Sequence, residues 1–164
     1  SISVQYISNS LSTVSPAQYG VIFHKILEDS VAAKGMSIMS NHPLIGTLDE
    51  KSQKRITKSI ELLAANMEFN SLIQNHTLTE LSIGTLGDEK IKLGRIDLMI
   101  HLEKEIIIID YKSDINPATS LNTAPENYIT QLISYKKIVQ KIYLEKKIRI
   151  QILWLENGQL MEIA

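Results

Sequence analysis

The chain has 164 residues, 44% apolar and 21% charged, which fits one domain with a sizeable core. No apolar run reaches the ~18 residues that span a bilayer, and no basic stretch followed by an apolar one marks a signal peptide, so a cytoplasmic location away from membranes is expected. Cysteine is absent, which excludes disulfides, thiolate zinc sites and iron–sulfur ligation, while 17 basic against 18 acidic residues exclude nucleic-acid binding by bulk charge and leave local patches.

After an extended start, Ser15-Pro16 opens a helix, with Ser as N-cap and Pro at the first helical position. Val21, Ile22, Ile26, Leu27 and Val31 recur at helical spacing, and Gly35 is the stop. Asn41 to Gly46 reads as a loop turning at His42-Pro43. Thr47 or Asp49 caps a second helix built on Ile56, Ile60, Leu63 and Ala64, and a short helix is expected around Phe69 to Ile73. From Leu78 the period changes to that of strands: Thr79 to Ile83, Ile91 to Leu102 and Glu105 to Lys112, interrupted at Gly84, Gly87-Asp88 and Glu103-Lys104. A polar loop, Asp114 to Pro125, leads into a long helix from Glu126 to Leu144, whose apolar face is Ile129, Leu132, Ile133, Ile138, Val139 and Ile142. Ile148 to Leu155 and Gln159 to Ile163 close the chain as a hairpin around Asn157-Gly158. Helices, three strands, a helix and two strands make an α/β sandwich with a mixed sheet rather than a doubly wound repeat.

The chemistry lies in two stretches, Leu93-Gly94-Arg95-Ile96-Asp97-Leu98 and Ile106-Ile107-Ile108-Ile109-Asp110-Tyr111-Lys112-Ser113. A hairpin centred between Glu103 and Lys104 pairs residues whose numbers sum to 207. Asp97 then faces Asp110, with Cβ atoms ~5 Å apart on one face of the sheet. Facing carboxylates repel, by up to ~1 kcal/mol when exposed and more when dry, unless a cation lies between them. Mg²⁺, hard and oxygen-seeking, suits that position. Strand alternation brings Lys112 to the same face, and two acids with an amine are what phosphodiester hydrolysis needs. The plainer alternative is a surface hairpin with a solvated Asp-x-Lys end, but the buried run Ile106 to Ile109 leading into Asp110 argues against it.

These residues resemble the RecB/AddA branch of the PD-(D/E)XK nuclease superfamily. Gly94-Arg95-Ile96-Asp97 and Asp110-Tyr111-Lys112-Ser113 match its Gly-x-Ile-Asp and Asp-Tyr-Lys-Thr/Ser motifs. Gly20 to His24 is similar to its Gly-x-x-x-His helix, Tyr128 to Tyr135 to its Tyr-x-x-Gln-x-x-x-Tyr helix, and Glu80 stands where an acid often precedes Gly-x-Ile-Asp. The resemblance implies a restriction-endonuclease-like fold and a divalent ion held by His24, Asp97, Asp110 and the Tyr111 carbonyl. It implies catalysis by Asp97, Asp110 and Lys112, with Gln131 and Tyr135 contacting DNA or bracing Lys112. It also implies that residues 1–164 form one nuclease domain, the C-terminal piece of a helicase–nuclease polypeptide that resects double-strand breaks. The start without Met agrees with such a piece. The expected substrate is a single DNA strand delivered by a helicase motor in the same polypeptide, beside a partner nuclease subunit. Absence of the cysteine cluster favours the AddA or RecB side.

Read alone, His24 is a boundary histidine bonded to Glu28; as a ligand, its imidazole adds Mn²⁺ to the expected Mg²⁺. His42, His76 and His101 have no partners at ligand spacing and read as structural or solvated. Glu80 is either an auxiliary ligand or a strand residue, and Tyr135 either packs or serves the site. Lys54, Arg55 and Lys58 form one basic helix edge; Lys136, Lys137 and Lys141 form another that could meet phosphate. Aromatics at 5% do not support an extended stacking platform. The competing functions are a metal-dependent exonuclease, a catalytically silent DNA-binding or subunit-contact module, and a hydrolase acting on another substrate. Removing Asp97 is expected to relieve repulsion and leave metal-free stability unchanged or higher.

Overall fold

Three helices precede a five-stranded sheet and a fourth helix is inserted before its last two strands, in a computed structural model that describes residues 13–87 and 90–164. The extended start and the interruption at Asp88 lie outside the described residues. Helix α1 spans Pro16–Ala32; Ser15 accepts the Gln18 N–H while the Gln18 side chain accepts the Ser15 N–H, a reciprocal cap. Its left-handed stop is Lys34 (φ 58°) rather than the expected Gly35. Lys34 and Gly35 donate to the carbonyls of Val31 and Ser30, and the Lys34 ammonium bonds the Asn75 carbonyl, which offsets the backbone strain. The expected loop from Asn41 to Gly46 is taken up largely by a 3-10 helix, Pro43–Thr47, and a second one, Met36–Asn41, precedes it. Asp49 caps α2 (Glu50–Ala64), and Asn66 caps the short α3 (Met67–Leu72).

Strands β1 (His76–Gly87) and β2 (Lys90–His101) pair antiparallel. Gly84 does not interrupt β1, because its pairing with Leu93 carries the ladder through. Strand β3 (Glu105–Lys112) pairs antiparallel with β2 and parallel with β4 (Lys147–Trp154). Strand β5 (Gln159–Glu162) closes the edge beside β4, giving the order β1-β2-β3-β4-β5. The parallel step needs a crossover, which α4 (Glu126–Ile142) supplies. The mixed sheet flanked by helices expected of the restriction-endonuclease-like fold is thus present.

Each face of the sheet carries its own core. Tyr19, Phe23 and Ile26 of α1 and Ile56, Ile60 and Leu63 of α2 pack on Leu98, Ile100, Ile107 and Ile109. On the other face, Leu132, Tyr135 and Val139 of α4 pack on Met99, Ile106, Ile108, Ile150 and Ile152. The buried stripe of α4 is narrower than its sequence suggests, since Ile133 and Ile142 are exposed. In α1, Val21 faces solvent while Tyr19 and Phe23 are buried. Each fully buried Ile, Leu or Phe contributes about 1.5–3 kcal/mol. Strand β3 is covered on both faces from Ile106 to Tyr111, so its end is held rigidly.

Gly158 supplies the β4–β5 turn with φ +68° and lies so near α2 that a Cβ would sit 2.8 Å from the Leu62 backbone. The described residues include no helix long and apolar enough to cross a membrane.

Candidate active site

The β2–β3 pairing follows the expected register, Leu98 with Ile109 and His101 with Ile106, and stops after Leu98. At the next step the Asp97 carboxylate takes over from the ladder. Its Oδ2 accepts the Tyr111 N–H at 2.7 Å, and its Oδ1 lies 3.3 Å from Nδ1 of His24 on α1. Asp110 lies beside it, 5% exposed. Burial first, then the charge of Asp97, pushes the Asp110 carboxyl up to about 6 against the pull of Lys112. Lys112 Nζ pairs with Asp110 Oδ2 at 2.8 Å, setting an ammonium against this buried carboxylate. The His24 pKa is raised: burial opposes protonation, but the hydrogen bond and charge of Asp97 outweigh it, helped by Asp110 and Glu80.

Glu80 joins this group from β1. Thr79 pairs with Leu98 and Leu81 with Ile96, but Glu80 between them drops out of the ladder with φ 53°. A left-handed conformation disfavours a residue with a Cβ by roughly 1–2 kcal/mol, and here it coincides with a carboxylate placed at the cluster. Ligand atoms of His24, Glu80 and Asp97 all lie within 4.8 Å of one another. Glu80 also pairs with Arg95, and burial followed by the charge of Asp97 raises its pKa.

The structure brings His24, Glu80 and Asp97 into one group where β1 and β2 pass α1, with Asp110 adjoining it beside Asp97 and Lys112 paired to Asp110. Tyr111 points its ring away into the core on the α1 side, edge-on to His24 at 5.4 Å. Gln131 receives the Lys112 ammonium at 3.5 Å and donates to the Tyr135 hydroxyl at 2.9 Å, which also accepts the Arg95 N–H at 3.3 Å. Tyr135 both packs, at 5% exposure, and serves this chain of hydrogen bonds. Gly94 makes room for it: a Cβ there would lie 2.7 Å from Tyr135 Cε1. A cleft of about 550 Å³ opens onto the group, walled by Gly20, Val21, His24, Arg95, Lys112 and Tyr128.

The geometry adds a cost to the expectation for Asp97. Its carboxylate satisfies a buried backbone donor, so removing it leaves the Tyr111 N–H unpaired, a cost set against the relief of its repulsion with Asp110. Three contributors carry no site role in the sequence reading. Tyr128 places its ring 4.2 Å from Lys112 Nζ and donates its hydroxyl to Asp114. Arg95 holds Glu80. Arg55, read as part of a basic helix edge, lies 4.1 Å over the Tyr19 ring, pairs with Glu156 at 2.8 Å and donates to the Ser113 carbonyl at 2.9 Å. The 58 residues separating Arg55 from Ser113 leave no local signal for that brace. His42, by contrast, is structural as expected, bonded to Asp29 at 2.7 Å.

No family model matches the chain. Fold and clustered side chains together define a mixed α/β domain with an acid, histidine and lysine cluster at the open end of its central hairpin. Over 157 residues, 94% of the chain, it is 22% identical to an ATP-dependent helicase/nuclease subunit of Enterococcus faecalis. The chain spans 12% of that protein's length. It is thus distantly similar to part of a helicase/nuclease subunit.

Proposed function

We propose that this domain is a divalent-metal-dependent nuclease that hydrolyses phosphodiester bonds in DNA. The observation that carries the reading is the meeting of Asp97, Asp110, Glu80 and His24 with Lys112 where the β2–β3 ladder ends. A hard divalent cation fits these residues: Glu80 and Asp97 bring carboxylate oxygens within 4.8 Å of a His24 nitrogen, and the buried Asp110 carboxyl lies close enough to Asp97 to be raised by its charge. Asp97, Asp110, Glu80 and His24 would hold it with the Tyr111 carbonyl, and the imidazole suits Mn²⁺ as well as Mg²⁺. A bound ion supplies Lewis-acid stabilisation of phosphate charge and a more acidic water.

The chain's own residues do the positioning. Lys112, confined between Asp110, Gln131 and the Tyr128 ring, orients or deprotonates the attacking water. Gln131 and Tyr135 fix Lys112 relative to Gly94-Arg95, so the amine and the acids move as one unit. The resemblance of the motifs to PD-(D/E)XK nucleases and the distant similarity to a helicase/nuclease subunit support DNA as substrate. On the same grounds, the domain works as an exonuclease in a DNA-repair helicase–nuclease, on a strand delivered by a motor in the same polypeptide, with a partner nuclease subunit.

The test is incubation with linear single-stranded DNA and Mg²⁺ or Mn²⁺, beside the Lys112→Ala and Asp110→Ala variants. Each substitution should lower the cleavage rate by at least about a hundredfold while the far-ultraviolet circular dichroism is retained. Undiminished cleavage in both variants would reject the mechanism. DNA binding without cleavage by the parent would favour a catalytically silent binding module.

A further inference from the structure

Among the described residues, three exposed or half-buried cations border the cleft, and their partners differ. Lys25 is tied to Glu28 at 3.4 Å and Asp29 at 3.1 Å, acids of its own helix outside the ligand cluster. Lys112 is held by Asp110 and Gln131. Arg95 is paired to Glu80, and Glu80 is a member of the His24, Glu80, Asp97 cluster. The Arg95 side chain is 61% exposed, whereas that of Glu80 is 12% exposed. The acid is fixed inward, and the guanidinium reaches it from the solvent side of the cleft.

We propose that Arg95 is a phosphate-binding residue of the cleft that metal binding switches on by drawing Glu80 away from it. This rests on the nuclease reading above. A carboxylate that shares its charge with a divalent cation is a weaker acceptor for a guanidinium, and the cation repels the guanidinium as well. Glu80 therefore holds Arg95 less tightly once it holds the cation. Once released, Arg95 remains anchored at its root, because its N–H donates to the Tyr135 hydroxyl. Its five donors suit two phosphate oxygens at once, which a lysine cannot match. The nucleic acid is thereby gripped only when the chemistry is ready, and binding of metal and of phosphate reinforce each other.

Two measurements on the 164-residue chain test this, and neither reads cleavage. In calorimetric titration with Mg²⁺ alone, Arg95→Ala removes the competitor for Glu80 and should tighten Mg²⁺ binding about twofold to fivefold, the range of an exposed ion pair. In a Glu80→Gln background the same substitution should tighten Mg²⁺ binding by less, since only the charge repulsion with the guanidinium is then removed. An equal tightening in both backgrounds would overturn the competition for Glu80. Unchanged or weaker Mg²⁺ binding in Arg95→Ala alone would overturn the switch. The second measurement is the salt dependence of binding to a single-stranded oligonucleotide, in a Lys112→Ala background so that the strand stays intact. With Mg²⁺, Arg95→Ala should reduce the slope of log K against log salt by about 0.7, one phosphate contact on a single strand. With EDTA the slope should not change. An equal reduction in both conditions, or none with Mg²⁺, would remove the assignment. Binding of Mg²⁺ without any binding of DNA would instead strike the nuclease reading, and the titration result would still decide whether Arg95 and the cation compete for Glu80.

Discussion

Replacing Asp110 with Asn should stabilise the metal-free protein, although Asp110 is central to the proposed activity. Its carboxyl is raised from 3.8 to about 6 by burial and by Asp97, with Lys112 opposing. Between those values the folded protein binds more protons than the unfolded chain, so stability falls as pH rises through the window and the loss is complete above it. The displacement corresponds to about 3 kcal/mol, at 1.36 kcal/mol for each tenfold change in acidity. Asparagine keeps the shape and cannot ionise. Lys112 loses its partner in the variant, which offsets part of the gain, so the expected net increase near pH 7.5 is about 1–3 kcal/mol. Urea unfolding with EDTA at about pH 4 and pH 7.5 measures it, and the gain should be near zero at the lower pH. With saturating Mg²⁺ the order should invert, because the parent gains stability from ligand binding that the variant lacks. A variant less stable than the parent in EDTA near neutrality, or a gain independent of pH, would refute the assignment of repulsion to Asp110.

Asp97 should behave differently. Asp97→Ala leaves the buried Tyr111 N–H without an acceptor, a cost of about 1–3 kcal/mol that relief of the repulsion with Asp110 reduces, so without metal it should be less stable than Asp97→Asn, which keeps an acceptor and sheds the charge. Urea unfolding of the pair with EDTA makes the comparison, and equal stability of all three proteins would remove the structural role of this carboxylate. Gly94→Ala places a methyl group 2.7 Å from the nearly buried Tyr135 ring. It should lower stability by about 1–3 kcal/mol through overpacking and reduce cleavage by displacing Tyr135 from Gln131, both checked on the purified variant.

Much of the architecture is written locally. The Ser15-Pro16 start, the Asp49 cap, the Asn157-Gly158 turn and the change of period at the strands each involve residues within a few positions of one another, so propensity and pattern report them. The Glu103-Lys104 hairpin likewise fixes the register that brings Asp97 towards Asp110, because an antiparallel pair joined by a short turn has little freedom to slip. The motifs for His24, Lys112 and Gln131 named side chains that do come together, though nothing in their spacing says how.

The tertiary structure decided the rest, wherever the deciding partner is remote in sequence. Which carboxylate accepts a backbone donor depends on the ladder ending after Leu98, so that Asp97 takes the Tyr111 N–H while Asp110 stays buried against the Lys112 ammonium. Glu80 faces Asp97 because the β1–β2 register, Thr79 with Leu98 and Leu81 with Ile96, sets the two opposite each other, while its left-handed backbone is a departure that strand periodicity cannot register. Arg55 reads as surface charge until α2 packs against Ser113 and Glu156, and the apolar look of Val21 and Ile133 yields to which side of each helix meets the sheet. Sequence carries short-range preferences of backbone and side chain; burial and charge coupling arise only once distant segments exclude water from between them.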